Sequence, residues 1–64
     1  MNITHEIEYS SGKLWCYFKY QGRIVGSVNT EVETAPEVFR ELIDAKLEKI
    51  KAGVAKAEEL AKTI

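Results

Sequence analysis

A single cysteine, a single histidine and a single proline stand in a chain of 64 residues. One cysteine excludes an internal disulfide, and one histidine leaves no ligand set for a structural zinc ion, so neither metal nor cofactor is expected. No apolar run approaches the roughly 18 residues that a membrane span requires. The start, Met1-Asn2-Ile3-Thr4-His5, has neither a basic nor an apolar leader region, so no signal peptide is expected. Cys16 suits a reducing compartment, and a cytoplasmic protein is expected. No sign of charge dominates. Nine Lys and Arg face ten Asp and Glu, for a net charge of −1, which weighs against the basic surface behind non-specific nucleic-acid binding.

What is present is 45% hydrophobic and 30% charged, a balance that favours a folded chain over a disordered one. The length allows one domain, residues 1–64. A chain of this size buries only about 60% of the surface it exposes when unfolded, so its core is marginal. With disulfides and metals excluded, self-association is the remaining source of stability.

Two periodicities divide the chain. In residues 1–30, Ile3, His5, Ile7 and Tyr9 alternate with polar residues, a period of two. Lys13 to Tyr20 is rich in aromatics, Arg23 to Asn29 makes a third extended stretch, and Ser11-Gly12 and Gln21-Gly22 read as two-residue turns. After a connector at 31–34, residues 35–63 are almost all good helix formers. Thr34 and Glu37 have the spacing of a capping box, and Pro36 lies in the first turn. Gly53 marks a kink or a close helix–helix approach. The expected fold is α+β: a three-stranded antiparallel β-meander followed by one long C-terminal α-helix, βββα.

With two-residue turns, Phe18 is expected opposite both His5 and Val25. One sheet face then carries Ile3, Ile7, Tyr9, Leu14, Cys16, Phe18 and Val25, covered by Phe39, Leu42, Ile43 and Leu47 of the helix. The other carries Thr4, Glu6, Glu8, Lys13, Trp15, Tyr17, Lys19, Ile24, Gly26 and Val28, with Trp15 opposite Val28 and Tyr17 laid over Gly26. A contiguous apolar cluster on the face away from the helix marks a binding surface. If either turn is longer by one residue, the third strand or the first flips and this sorting fails.

A strand of about seven residues spans roughly 23 Å, whereas a helix of about 29 spans roughly 43 Å. The overhang carries Leu47, Ile50, Val54, Ala57, Ala61 and Ile64 at spacings of three and four, a coiled-coil seam expected to form a homodimer interface.

Little in the chain supports catalysis. Cys16 reads as a small buried hydrophobe and His5 as a residue at the rim of the core. Glu6 and Glu8 lie on an open face without a cavity to raise a pKa, and no phosphate-binding glycine loop is present. A non-enzymatic role is expected. Lys13, Trp15, Tyr17, Lys19, Arg23, Ile24 and Val28 form the candidate partner-binding constellation, aromatic at its centre and basic at its rim. The expected function is a small homodimeric adaptor or inhibitor of the kind that phages and other mobile elements encode to block host factors. The alternative is a sheet-type DNA- or RNA-binding regulator, since aromatics interleaved with basic residues can stack bases and neutralise phosphates. In layout, residues 13–50 resemble the sheet-reading DNA-binding arms of integrases and the plant AP2 domain, which implies a sheet lying in the major groove. This chain has far fewer basic residues than those domains, and Glu6 and Glu8 share the face.

Overall fold

A computed structural model describes residues 2–64. The chain forms β1 (Ile3–Ser10), β2 (Lys13–Tyr20), β3 (Arg23–Glu31) and α1 (Pro36–Thr63). The strands form one antiparallel sheet in the order β1-β2-β3, so the architecture is βββα, an α+β fold.

Both turns are as short as their sequences imply. Ser11 and Gly12 have φ of 54° and 76°, and Gln21 and Gly22 have 53° and 77°. Two successive left-handed residues make a type I′ turn, whose twist matches that of the flanking strands. The first hairpin keeps the expected register throughout, with Tyr9 opposite Leu14, Ile7 opposite Cys16 and His5 opposite Phe18.

The second hairpin departs from expectation. Tyr20 faces Arg23 and Lys19 faces Ile24, but Phe18 then faces Gly26, not Val25. Val25 is the extra residue of a β-bulge, and beyond it every residue of β3 has changed sides. Val28 now lies opposite Cys16 on the helix side, while Ser27 and Asn29 lie opposite Tyr17 and Trp15. The glycine expected beneath Tyr17 lies instead beside Phe18, under the helix.

The helix begins without a side-chain cap. Ala35, extended at φ −60° and ψ 141°, is the N-cap, and its carbonyl accepts from the Val38 and Phe39 amides at 3.0 and 3.2 Å. Thr34, the expected cap, instead bonds Thr30 through its hydroxyl at 2.7 Å and Glu31 through its amide at 3.0 Å, closing the turn between β3 and α1. Pro36 occupies the first turn with Glu37, and Lys62 lies in the last, in the sense the helix dipole favours.

The helix runs back over β3 and β2. Cys16 and Phe18 from β2 and Phe39 and Ile50 from α1 are buried, with Ile3, Leu14, Val28, Ile43, Leu47 and Val54 packed around them. Ile7, Tyr9 and Val25, expected in the core, are 55%, 67% and 37% exposed, and Leu42 is 41% exposed. Ile7 and Tyr9 are exposed because α1 packs chiefly on β3 and leaves β1 beyond Ile3 uncovered on the helix side, and Val25 is the residue that the bulge leaves unpaired. Gly53 lies inside the unbroken helix with nothing within 4 Å of the position a Cβ would take, so neither a helix end nor a close contact within the chain requires it.

Candidate interaction surface

The sheet has two unlike faces because alternate residues of β2 point opposite ways. Leu14, Cys16, Phe18 and Tyr20 point toward the helix. Lys13, Trp15, Tyr17 and Lys19 point away from it, joined by Ile24 from the start of β3. Ile24 is 61% exposed. Five of the seven residues expected to bind a partner therefore share one open face.

The remaining two do not. Val28 is carried under the helix by the bulge and packs against the core. Arg23 pairs with Tyr20 and so lies on the helix side, at the exposed end of the second hairpin. Strict alternation could not place Val28; the signal that could have done so is Gly26, next to the bulged Val25, since an isolated glycine within a strand often marks a bulge.

At the centre of the open face the Trp15 and Tyr17 rings stack, with centroids 5.9 Å apart and planes 5° from parallel. Neighbouring same-face positions on one strand hold the rings side by side. The indole Nε1 of Trp15 donates to the Ser10 carbonyl at 3.0 Å, which fixes the ring over the first hairpin. Both rings are half-buried by each other and by the strands, and a flat aromatic platform remains. Such a platform meets a partner with little loss of side-chain entropy.

Charge frames the platform. Lys19 Nζ lies 3.2 Å from Glu6 Oε1, and Lys13 Nζ lies 3.8 Å from Glu31 Oε1. These exposed pairs add little to stability, about 0–1 kcal/mol each. Each cation on this face has a carboxylate beside it, and Glu8 adds a further negative charge opposite Trp15.

Residues with chemical potential lie elsewhere and are quiet. Cys16 is a free thiol with no exposure, and burial pushes its pKa up. A thiol held protonated in an apolar core is a poor nucleophile. His5 is exposed on β1, on the helix side, and Ile7 lies between it and Tyr9. Among the described residues, no group of three or more His, Cys, Asp or Glu comes together to hold a metal ion. No helix among them is long and apolar enough to cross a membrane.

The expected dimer seam is divided by the fold. Ile50 is 8% exposed and forms the centre of the chain's own core, with Leu47 and Val54 packed beside it. Those residues face the sheet. Ala57, Ala61 and Ile64 are exposed, as is Leu60 at 52%. The missing signal was again the bulge: with Gly26 placed under the helix, the sheet accepts Ile50 and draws in the first half of the seam.

Compared with protein families, curated proteins and solved structures, the chain has no match.

Proposed function

We propose that the chain is a non-catalytic protein-binding module that engages its partner through the open sheet face centred on Trp15 and Tyr17. The observation that carries this reading is the stacked, anchored aromatic pair on the face opposite the helix. Tryptophan and tyrosine are the residues most enriched at the energetic centres of interfaces, and Ile24 extends the apolar area beside them.

The charges on this face support protein over nucleic acid. A nucleic-acid platform needs unneutralised cations to take the place of phosphate counterions. Here Lys13 and Lys19 lie beside Glu31 and Glu6, and Arg23 is on the other side of the sheet. An adaptor or inhibitor role follows from a small binding face carried without catalytic groups. In this reading the chain also pairs with itself, through what the core leaves of the seam: Ala57, Ala61 and Ile64, with Leu60 alongside.

The test follows Trp15 fluorescence during titration with mixed-sequence duplex and single-stranded oligonucleotides at low and moderate salt. No saturable response is expected. A partner captured from lysate by the native chain should be lost with Trp15→Ala and kept with Glu59→Ala, while both variants stay folded. A saturable oligonucleotide response that weakens steeply with salt would replace this reading with the nucleic-acid one.

A further inference from the structure

On the other side of the sheet, the helix leaves a second surface uncovered. β1 is an outer strand that pairs only with β2, so half of its backbone N–H and C=O groups point outward from the sheet edge. On its helix side, His5, Ile7 and Tyr9 are exposed. Beside them lies an open groove of about 760 Å³, with Leu14, Phe39 and Ile43 among its apolar lining and Val32 and Pro36 at the turn into the helix. An edge next to an apolar groove is the arrangement that accepts an added strand: main-chain hydrogen bonds along the edge, and every second side chain in the groove.

Charge identifies the occupant. The alternate residues of β1, which point to the opposite face, include Glu6, one of whose carboxylate oxygens holds Lys19 at 3.2 Å, and Glu8, which makes no ion pair among the described residues. A strand laid along β1 places side chains directly across from both, and opposite charges across a strand pair are favoured while like charges are not. A second copy of this chain does not satisfy that requirement. The two antiparallel self-registers that use most of β1 place Glu6 against either Glu6 or Glu8 of the other copy. Around the groove, Glu33 and Asp44 outnumber Arg40, so the rim also favours a cation.

We propose that the β1 edge and its groove take an extended segment of a partner protein as a fourth strand, one that alternates apolar residues toward Ile7 and Phe39 with lysine or arginine across from Glu6 and Glu8. The groove lies on the helix side, away from Trp15, while Glu6 and Glu8 border the Trp15 face. Binding at either surface can fail without the other.

The test uses a capped seven-residue peptide alternating lysine and valine, its glutamate–valine counterpart, and a lysine–valine peptide N-methylated at alternate residues. Binding is followed by backbone amide shifts of the intact chain. The lysine–valine peptide is expected to saturate, with shifts along residues 3–10 and 39–44, and the glutamate–valine peptide to give none. N-methylation on the edge that meets β1, or Ile7→Asp in the protein, is expected to weaken binding about tenfold or more. Glu6→Gln with Glu8→Gln is expected to weaken it severalfold at low salt, and Glu59→Ala to leave it unchanged.

Absence of saturation would overturn the proposal. So would binding that survives both N-methylation and Ile7→Asp, which would be attraction to the acidic surface alone. Self-association lost with Ile7→Asp would assign the edge to a second copy.

Discussion

Ile50 Cδ1 lies 2.7 Å from the point where a Cβ on Gly26 would stand, with Ile50 Cγ1 at 3.2 Å. At this approach of helix and sheet, the Ile50 side chain occupies the space that a side chain on residue 26 would need. Gly26→Ala is therefore expected to destabilise the fold by about 1–3 kcal/mol through overpacking. Ile50→Val, which removes the crowding methyl, is expected to cost about 0.5–1.5 kcal/mol alone. Together the two should cost less than their sum. Chemical denaturation of the four-member cycle reads the coupling, and strict additivity would show that the contact is not made.

The bulge at Val25 makes a sharp distinction between two apolar residues of β3. Val28 packs on the core, whereas Ile24 is 61% exposed on the far face. Val28→Ala is expected to cost about 1–3 kcal/mol, and Ile24→Ala to stay within about 0.5 kcal/mol of the native chain. Equal effects would mean that β3 follows the register without a bulge.

Cys16 has Ile7 and Val28 as its cross-strand neighbours and no exposure. A thiol reagent is expected to modify it only as fast as the chain unfolds. Cys16→Ser should destabilise by about 1–3 kcal/mol, because the new hydroxyl loses water without gaining a partner. Rapid labelling of the folded chain would contradict this burial.

The Tyr20 hydroxyl donates to Glu58 Oε2 at 2.7 Å and joins the end of the sheet to the far part of the helix. That hydrogen bond first, then burial and the carboxylate's charge, raise the phenol's pKa. A raised folded value means that the folded chain keeps a proton the unfolded chain gives up. The contribution is present below the ordinary tyrosine value, about 10, and is lost as pH rises through the raised one. The difference in denaturation midpoint between the native chain and Tyr20→Phe should therefore be constant near neutrality and shrink in the alkaline range. A difference that grows with pH would reverse the assignment.

Ile50→Asp, which places a charge in the core, is expected to unfold the chain rather than merely separate a dimer. Leu60→Glu with Ile64→Glu should leave the fold intact and lower the mass seen by light scattering from two chains to one. A mass of one chain for the native protein would remove the helix-tail interface.

Much of the architecture is legible in local sequence because local chemistry decides it. Ser11-Gly12 and Gln21-Gly22 dictate type I′ turns, and those turns set the register of β1 against β2 through Cys16 and Phe18. Pro36 and the helix formers after it define α1. Two things were not legible. The bulge at Val25 brings Gly26 under Ile50, and although an isolated glycine marks either a bulge or a close approach, which of them applies depends on a residue 24 positions further along the chain. The lateral position of the helix, which exposes Ile7 and Tyr9, depends on how α1 seats across the sheet and not on the period of β1. The aromatic centre of the open face was readable because Trp15 and Tyr17 belong to β2, whose alternation the bulge does not touch. Val28 lies beyond the bulge and is turned to the helix side, whereas Arg23 precedes it and keeps its expected pairing with Tyr20, a pairing that itself puts it on the helix side.

The order in which the parts are made follows from where the cover of the core lies. All three strands precede the helix, and Phe39 and Ile50 come after them. At roughly 5–20 residues per second of synthesis, about one to five seconds separate Gly26 from Ile50. During that interval Cys16 and Phe18 belong to a sheet with nothing over one side. A chain interrupted in the first turns of α1 is thus not a smaller folded protein but an uncovered aromatic sheet with open edges, the form of this sequence most prone to adhere to its neighbours.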